Sequence, residues 1–166
     1  MSRDCITVCE ITPGEIDASA LLEAVRSPLA GAAVLFVGSV REFTATDSGE
    51  RQTVRLHYDA YTEMATRQMR HVLQASADRH GLTHAAAAHR VGTLELSDLA
   101  VVVAVSSPHR DASFAAGSEI LEQIKTTVPI WKREHWSDGA TEWQHPEQGR
   151  PDHALDAASV PTRSMT

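Results

Sequence analysis

The chain has 166 residues, a formal charge of −7 and 42% apolar residues, which is enough for one folded domain without disulfide or metal staples. The acidic balance argues against a general nucleic-acid or membrane-surface binder, since such proteins carry a basic excess. One count stands out: of 15 basic side chains 13 are arginine, and the only lysines are Lys125 and Lys132.

Arg3, Asp4 and Glu10 interrupt the N-terminus where a secretory signal needs an apolar stretch. The longest apolar runs, at 30–37 and 99–105, are far shorter than the roughly 20 residues of a membrane span. Cys5 and Cys9 have no second cysteine pair, so reduced thiols are expected rather than a zinc site. A cytoplasmic location is expected, with no membrane or nucleic-acid partner.

Strand and helix signals alternate along the chain. Ile6–Thr12 has the alternation of a first strand, with Ile6, Val8 and Glu10 on one side and Thr7, Cys9 and Ile11 on the other. Pro13-Gly14 breaks it, and 16–25 follows with a short helical period. Residues 31–40 form a buried-strand candidate, 44–52 a polar exposed loop, and 54–60 an alternating strand. Tyr61, Ala65, Met69, Val72 and Leu73 share one helical face, and Gly81 suits that helix's C-terminal cap. Residues 84–91 and 99–106 are two further strands. Ser106-Ser107-Pro108 carries a helix-start signal, a hydroxyl cap and then proline, and Phe114, Ile120, Leu121 and Ile124 give that helix an apolar face. Pro129 stops it, and Ile130–Trp136 with Thr141–Gln144 forms a hairpin about Asp138-Gly139. From 146 to 166 the periodicity is lost, which predicts a domain at 1–145 and a flexible acidic tail.

Three places carry residues suited to chemistry. His109 and Arg110 open a helix, where unpaired N–H groups and the dipole favour an anion; equally, they read as solvated first-turn side chains. Lys125 lies in the last turn of the same helix, where a cation simply complements the dipole. Yet a chain that otherwise uses arginine has placed its two amines at Lys125 and Lys132, and lysine, unlike arginine, can act as nucleophile or proton donor. Gly38-Ser39-Val40-Arg41 leaves a buried strand, a common place for ligand contacts, with an exposed Arg41 as the plain alternative. The remaining histidines lack metal-ligand spacing, and no Walker, Rossmann or G-x-S-x-G motif is present.

Three stretches in order, His89-Arg90-Val91-Gly92, then 103–110 ending in Ser107-Pro108-His109-Arg110, then Lys125 with Val128-Pro129-Ile130-Trp131-Lys132-Arg133-Glu134, closely resemble the large, catalytic subunit of molybdopterin synthase. Phe36–Arg41 and Leu56–Ala65 fit the same family, so the resemblance runs from about Ala32 to Trp143. It implies an α+β fold of the α/β-hammerhead type, with a mostly antiparallel sheet and packed helices. It also implies sulfur transfer to cyclic pyranopterin monophosphate, forming the molybdopterin dithiolene. The sulfur donor is the C-terminal thiocarboxylate of a small ubiquitin-like subunit, with no metal or organic cofactor. By the resemblance Lys125 and Lys132 are the catalytic positions, and Ser39, Val40, Arg41, His109, Arg110, Arg133 and Glu134 are substrate-binding positions. A homodimer within a heterotetramer is implied as well. After Glu134 the match weakens: Trp143 fits, but no arginine corresponds near Pro146-Glu147. The competing expectation is a non-catalytic module that binds an anion or docks a ubiquitin-like protein.

Overall fold

Alanine and valine decide the centre of the molecule. In the computed structural model, which describes residues 5–144, a four-stranded sheet runs β1–β5–β7–β2, built from β1 (Ile6–Thr12), β2 (Ala32–Ser39), β5 (His84–Arg90) and β7 (Leu99–Ser107). β1 pairs with β5 in parallel; β5–β7 and β7–β2 are antiparallel. Ala85 and Ala87 of β5, with Val101, Val103 and Val105 of β7, face α2 (Thr62–His80) and α3 (Arg110–Thr127). Ala86, Ala88, Val102 and Ala104 face the short α1 (Ala18–Ala24). Both faces are covered, so these strands must be apolar throughout, and small side chains let the helices come close. The expected tail at 146–166 lies outside the described residues.

A second sheet leans on the first. The 12-residue β4 (Gly49–Ala60) pairs along one edge with β3 (Phe43–Thr46) and β6 (Gly92–Glu95), and along the other with β8 (Ile130–Trp136), which continues to β9 (Thr141–Gln144). Val40, Leu56, Leu94 and Ala100 form the small core where the two sheets meet. The architecture is α+β and mostly antiparallel, as expected.

Four local expectations differ. The polar segment 44–52 is no loop but the β3–β4 hairpin: backbone pairing is indifferent to side-chain polarity, and the hydroxyls of Thr44 and Thr53 pair in its buried side at 3.1 Å. β6 is similarly too short and polar to show as a strand in sequence. In β1 an irregularity between Ile6 and Val8 shifts the alternation, so Ile6 joins Cys9 and Ile11 against α2 while Val8 faces α1. At α3 the strand runs on through Ser107, the N-cap residue is His109 without a side-chain cap bond, and the Ser107 hydroxyl bonds the His109 carbonyl and Ser113 instead. Phe114, expected on the buried face of α3, is 64% exposed. Gly81 caps α2 in the left-handed region (φ 63°), as its position suggested.

α2 and α3 are clasped by Glu119, whose carboxylate meets His80 Nε2 at 2.9 Å and Arg79 Nη1 at 2.8 Å. The His80 hydrogen bond, helped by Arg79 and opposed by partial burial, holds the Glu119 carboxyl below its ordinary range. A depressed carboxylate contributes stability above its unfolded pKa and loses it as pH falls through the folded one. Glu119→Gln is therefore expected to lower stability by about 0.5–1 kcal/mol near pH ~7 and to converge with the parent towards pH ~3, as read by thermal melts across that range.

Candidate active site

β8 alternates, so Lys132 and Glu134 point to the inner face of the second sheet and Arg133 to the outer. Register sets Lys132 opposite Tyr58 of β4 on one side and Gln144 of β9 on the other; Glu134 lies opposite Leu56. Glu134 is 1% exposed, accepting from Lys132 Nζ at 2.8 Å and from the Thr53 hydroxyl at 3.3 Å. Burying a carboxylate is costly unless it is paired and hydrogen-bonded, and here both conditions are met.

Lys125 arrives from the last turn of α3, one residue past the buried Ile124, and its amine has no ion-pair partner among the described residues. The two amines converge on a pair of adjoining cavities. One, of about 320 Å³, is walled by Val101, Leu121, Ile124 and Ile130, with His89 and Gln144. The other, of about 300 Å³, holds Ser39, Arg41, Thr44 and Glu134 with Phe36, Gly38 and Leu56. Tyr58, Val101, Lys125 and Lys132 line both. Gly38 makes part of this wall possible, because a Cβ there would lie 2.7 Å from Val101 Cγ1 and 3.3 Å from the Phe36 ring.

Two neutral groups complete the junction. Burial, reinforced by the charge of Glu134, pushes the Tyr58 phenol up to about 12. Burial pushes the His89 imidazole down to about 4, against the opposing effect of its bond to the Arg90 carbonyl at 2.8 Å. The two rings meet edge to face, with centroids 4.9 Å apart. Near neutral pH both are uncharged, and among the described residues the other ionisable side chains lining the cavities are Lys125, Lys132, Arg41 and Glu134.

The structure thus gathers Ser39, Arg41, Lys125, Lys132 and Glu134 around one space. It does not bring the other expected positions there. The Val40 side chain is core, packed with Leu56, Leu94 and Ala100. Arg133 lies on the outer face with its guanidinium 5.2 Å from the Trp143 ring. His109 and Arg110 are exposed at the far end of α3, about 23 Å along the helix from Lys125. Tyr58, His89, Thr53 and Gln144 enter the site unannounced; the alternation of 54–60 put Tyr58 on a face, but only strand pairing shows which face is occupied. Among the described residues no group of three His, Cys, Asp or Glu side chains is placed to hold a metal ion.

Fold and site together define a small α+β protein in which two lysines line the junction of two adjoining cavities. Residues 11–127 match the family model described as MoaE protein. Proteins named molybdopterin synthase catalytic subunit are similar to this chain: that of Pyricularia oryzae is 40% identical over 149 residues, 89% of this chain and 79% of its own. That of Bacillus subtilis is 42% identical over 130 residues, 78% of this chain and 80% of its own. Among solved structures, molybdopterin synthase from Staphylococcus aureus superposes with a TM-score of 0.75 at 36% identity, covering 82% of this chain and 96% of that one. The chain belongs to the MoaE family, the catalytic subunits of molybdopterin synthase, enzymes of molybdenum cofactor biosynthesis.

Glu134→Gln is expected to cost about 1.5–3 kcal/mol of stability in chemical denaturation, the range for hydrogen bonds to a charged group. The same variant should bring the Tyr58 titration below its value of about 12, read by ultraviolet difference absorbance, because the negative charge beside the phenol is gone.

Proposed function

We propose that the chain moves sulfur from the C-terminal thiocarboxylate of a ubiquitin-like small subunit onto cyclic pyranopterin monophosphate, in two additions that build the molybdopterin dithiolene. The observation that carries this reading is the shared wall: Lys125 and Lys132 line both cavities, whereas Arg41 and Ser39 line only one. Two anionic reactants must be brought together against their repulsion, and two amines at the junction of their sites oppose that repulsion in a partly desolvated setting. Arg41 suits the cyclic phosphate, which a guanidinium can grip with paired hydrogen bonds. The more apolar cavity suits a narrow peptide tail ending beside the amines.

In each addition the thiocarboxylate sulfur forms a bond to a pterin side-chain carbon as a carbon–oxygen bond at that carbon breaks, the displaced oxygen leaving as water or with the opened cyclic phosphate. The acyl–sulfur bond then breaks as water adds to the acyl carbon, leaving sulfur on the pterin and a carboxylate on the small subunit. Lys125, which has no ion-pair partner among the described residues, stabilises the oxyanion that develops at that carbon. Lys132, anchored by Glu134 at 2.8 Å, holds a fixed position for charge stabilisation and proton delivery.

α3 is too long for His109 and Arg110 to reach the pterin held by Lys125 of the same chain. In this reading they serve the pocket of a second copy, in a homodimer within a heterotetramer. The assembly works in the cytoplasm, with Cys5 and Cys9 as structural thiols, 1–145 as the working domain and 146–166 as its acidic tail.

Incubation with the pterin and a thiocarboxylated small subunit is expected to yield dithiolene product. Lys125→Ala should lower the rate at least about 10²-fold, the usual cost of removing one preorganised charge-stabilising donor. Binding of the small subunit without any product from the parent protein would instead favour the docking module. A mixed dimer of Lys125→Ala with a His109→Ala/Arg110→Ala chain should recover activity that neither homodimer has; no recovery would refute the shared pocket.

A further inference from the structure

A peptide entering the apolar cavity brings backbone N–H donors and C=O acceptors into a space where each unpaired group is costly. Val101, Leu121, Ile124 and Ile130 can pair with neither. Lys125 and Lys132 carry donors only, so they can serve carbonyl and thiocarboxylate oxygens but never an N–H. The cavity needs an acceptor, and its wall offers lone pairs at His89, Tyr58 and Gln144.

His89 is the one built for the task. It is the last buried residue of β5, one before the strand's end, is 7% exposed, and is held edge to face against Tyr58. A backbone carbonyl only accepts, so the 2.8 Å contact of Nδ1 with the Arg90 carbonyl places the ring hydrogen on Nδ1 and the lone pair on Nε2. Nε2 has no hydrogen-bond partner among the described residues. The depressed pKa keeps that lone pair unprotonated throughout the neutral range. The Tyr58 hydroxyl and the Gln144 amide can each donate as well as accept; His89 presents a fixed acceptor.

We propose that His89 is a binding residue for the sulfur donor's tail, its Nε2 accepting the N–H of the tail's last peptide bond and so seating the terminal thiocarboxylate beside Lys125 and Lys132. The inference rests on the sulfur-transfer reading above. It makes His89 a gauge of register: a tail one residue short or long would leave either this acceptor or the lysines unpaired.

The test uses the full chain and the ubiquitin-like small subunit encoded in the same genome, in its carboxylate form. A second version of that subunit ends in glycolic acid, which replaces the last amide N–H by an ester oxygen at nearly the same shape. The glycolate version is expected to bind the parent chain about tenfold more weakly by calorimetry. His89→Phe should weaken the native subunit by a similar factor and show no further loss with the glycolate version. An equal glycolate penalty in both chains would overturn the proposal. Should His89→Phe not fold, ¹⁵N-imidazole spectra of the parent chain decide: the Nε2 resonance must move to the hydrogen-bonded range with the native subunit and not with the glycolate one. An unmoved resonance overturns the proposal. A parent chain that forms dithiolene while these tests fail overturns the role of His89 alone; a parent chain that forms none overturns the sulfur-transfer reading with it.

Discussion

The middle strands of the central sheet, β5 and β7, are buried on both faces, and the rest of the molecule is arranged around that constraint. With α2 and α3 on one side and α1 on the other, β5 and β7 can hold almost nothing but alanine and valine. No charged group can sit in the middle of such a sheet without a large desolvation cost. Chemistry is therefore confined to its margin, where β2 and β5 end, α3 ends, and the second sheet closes over the opening. Ser39, Arg41, His89 and Lys125 all lie at such ends.

The second sheet supplies what the first cannot. Its inner face is half-buried, so it tolerates Lys132 and Glu134 provided they satisfy one another. The ion pair is unequal: Glu134 is sealed in and tied to Thr53, while Lys132 keeps access to both cavities. The carboxylate thus anchors an amine that still lines the open space. Lys125 has the opposite arrangement, a helix-end amine positioned by the backbone of α3 and without a counter-charge among the described residues. The two lysines thus meet at one junction under different restraints. Neutral Tyr58 and His89 beside them add shape and hydrogen bonding without further charge.

Much of this was legible residue by residue. Ile6–Thr12, the hairpin of Ile130–Trp136 and Thr141–Gln144, and the Gly81 cap depend on local alternation and turn chemistry, and they occur where those signals lie. The segment 44–52 and β6 were obscured because strand pairing there rests on backbone hydrogen bonds and a hidden threonine pair, with no apolar pattern to announce it. Phe114 misled because helical spacing identifies a face but not whether a neighbour covers it. The site shows the same division. Lys125 and Lys132 stood out by composition and motif, but Arg133 and Val40 lie beside site residues in sequence and point elsewhere in space.

By itself the sequence determined the class of chemistry and the family: two amines in an arginine-using chain, a run of specific motifs, and the local elements that carry them. Those follow from residue type and short-range spacing, which need no fold to be read. Only the tertiary structure decided that Glu134 anchors Lys132, that His89 and Tyr58 wall the junction, and that His109 and Arg110 stand a helix length from Lys125. Each of these depends on strand register or on the direction of a helix in space, and both are set by packing between segments far apart in the chain.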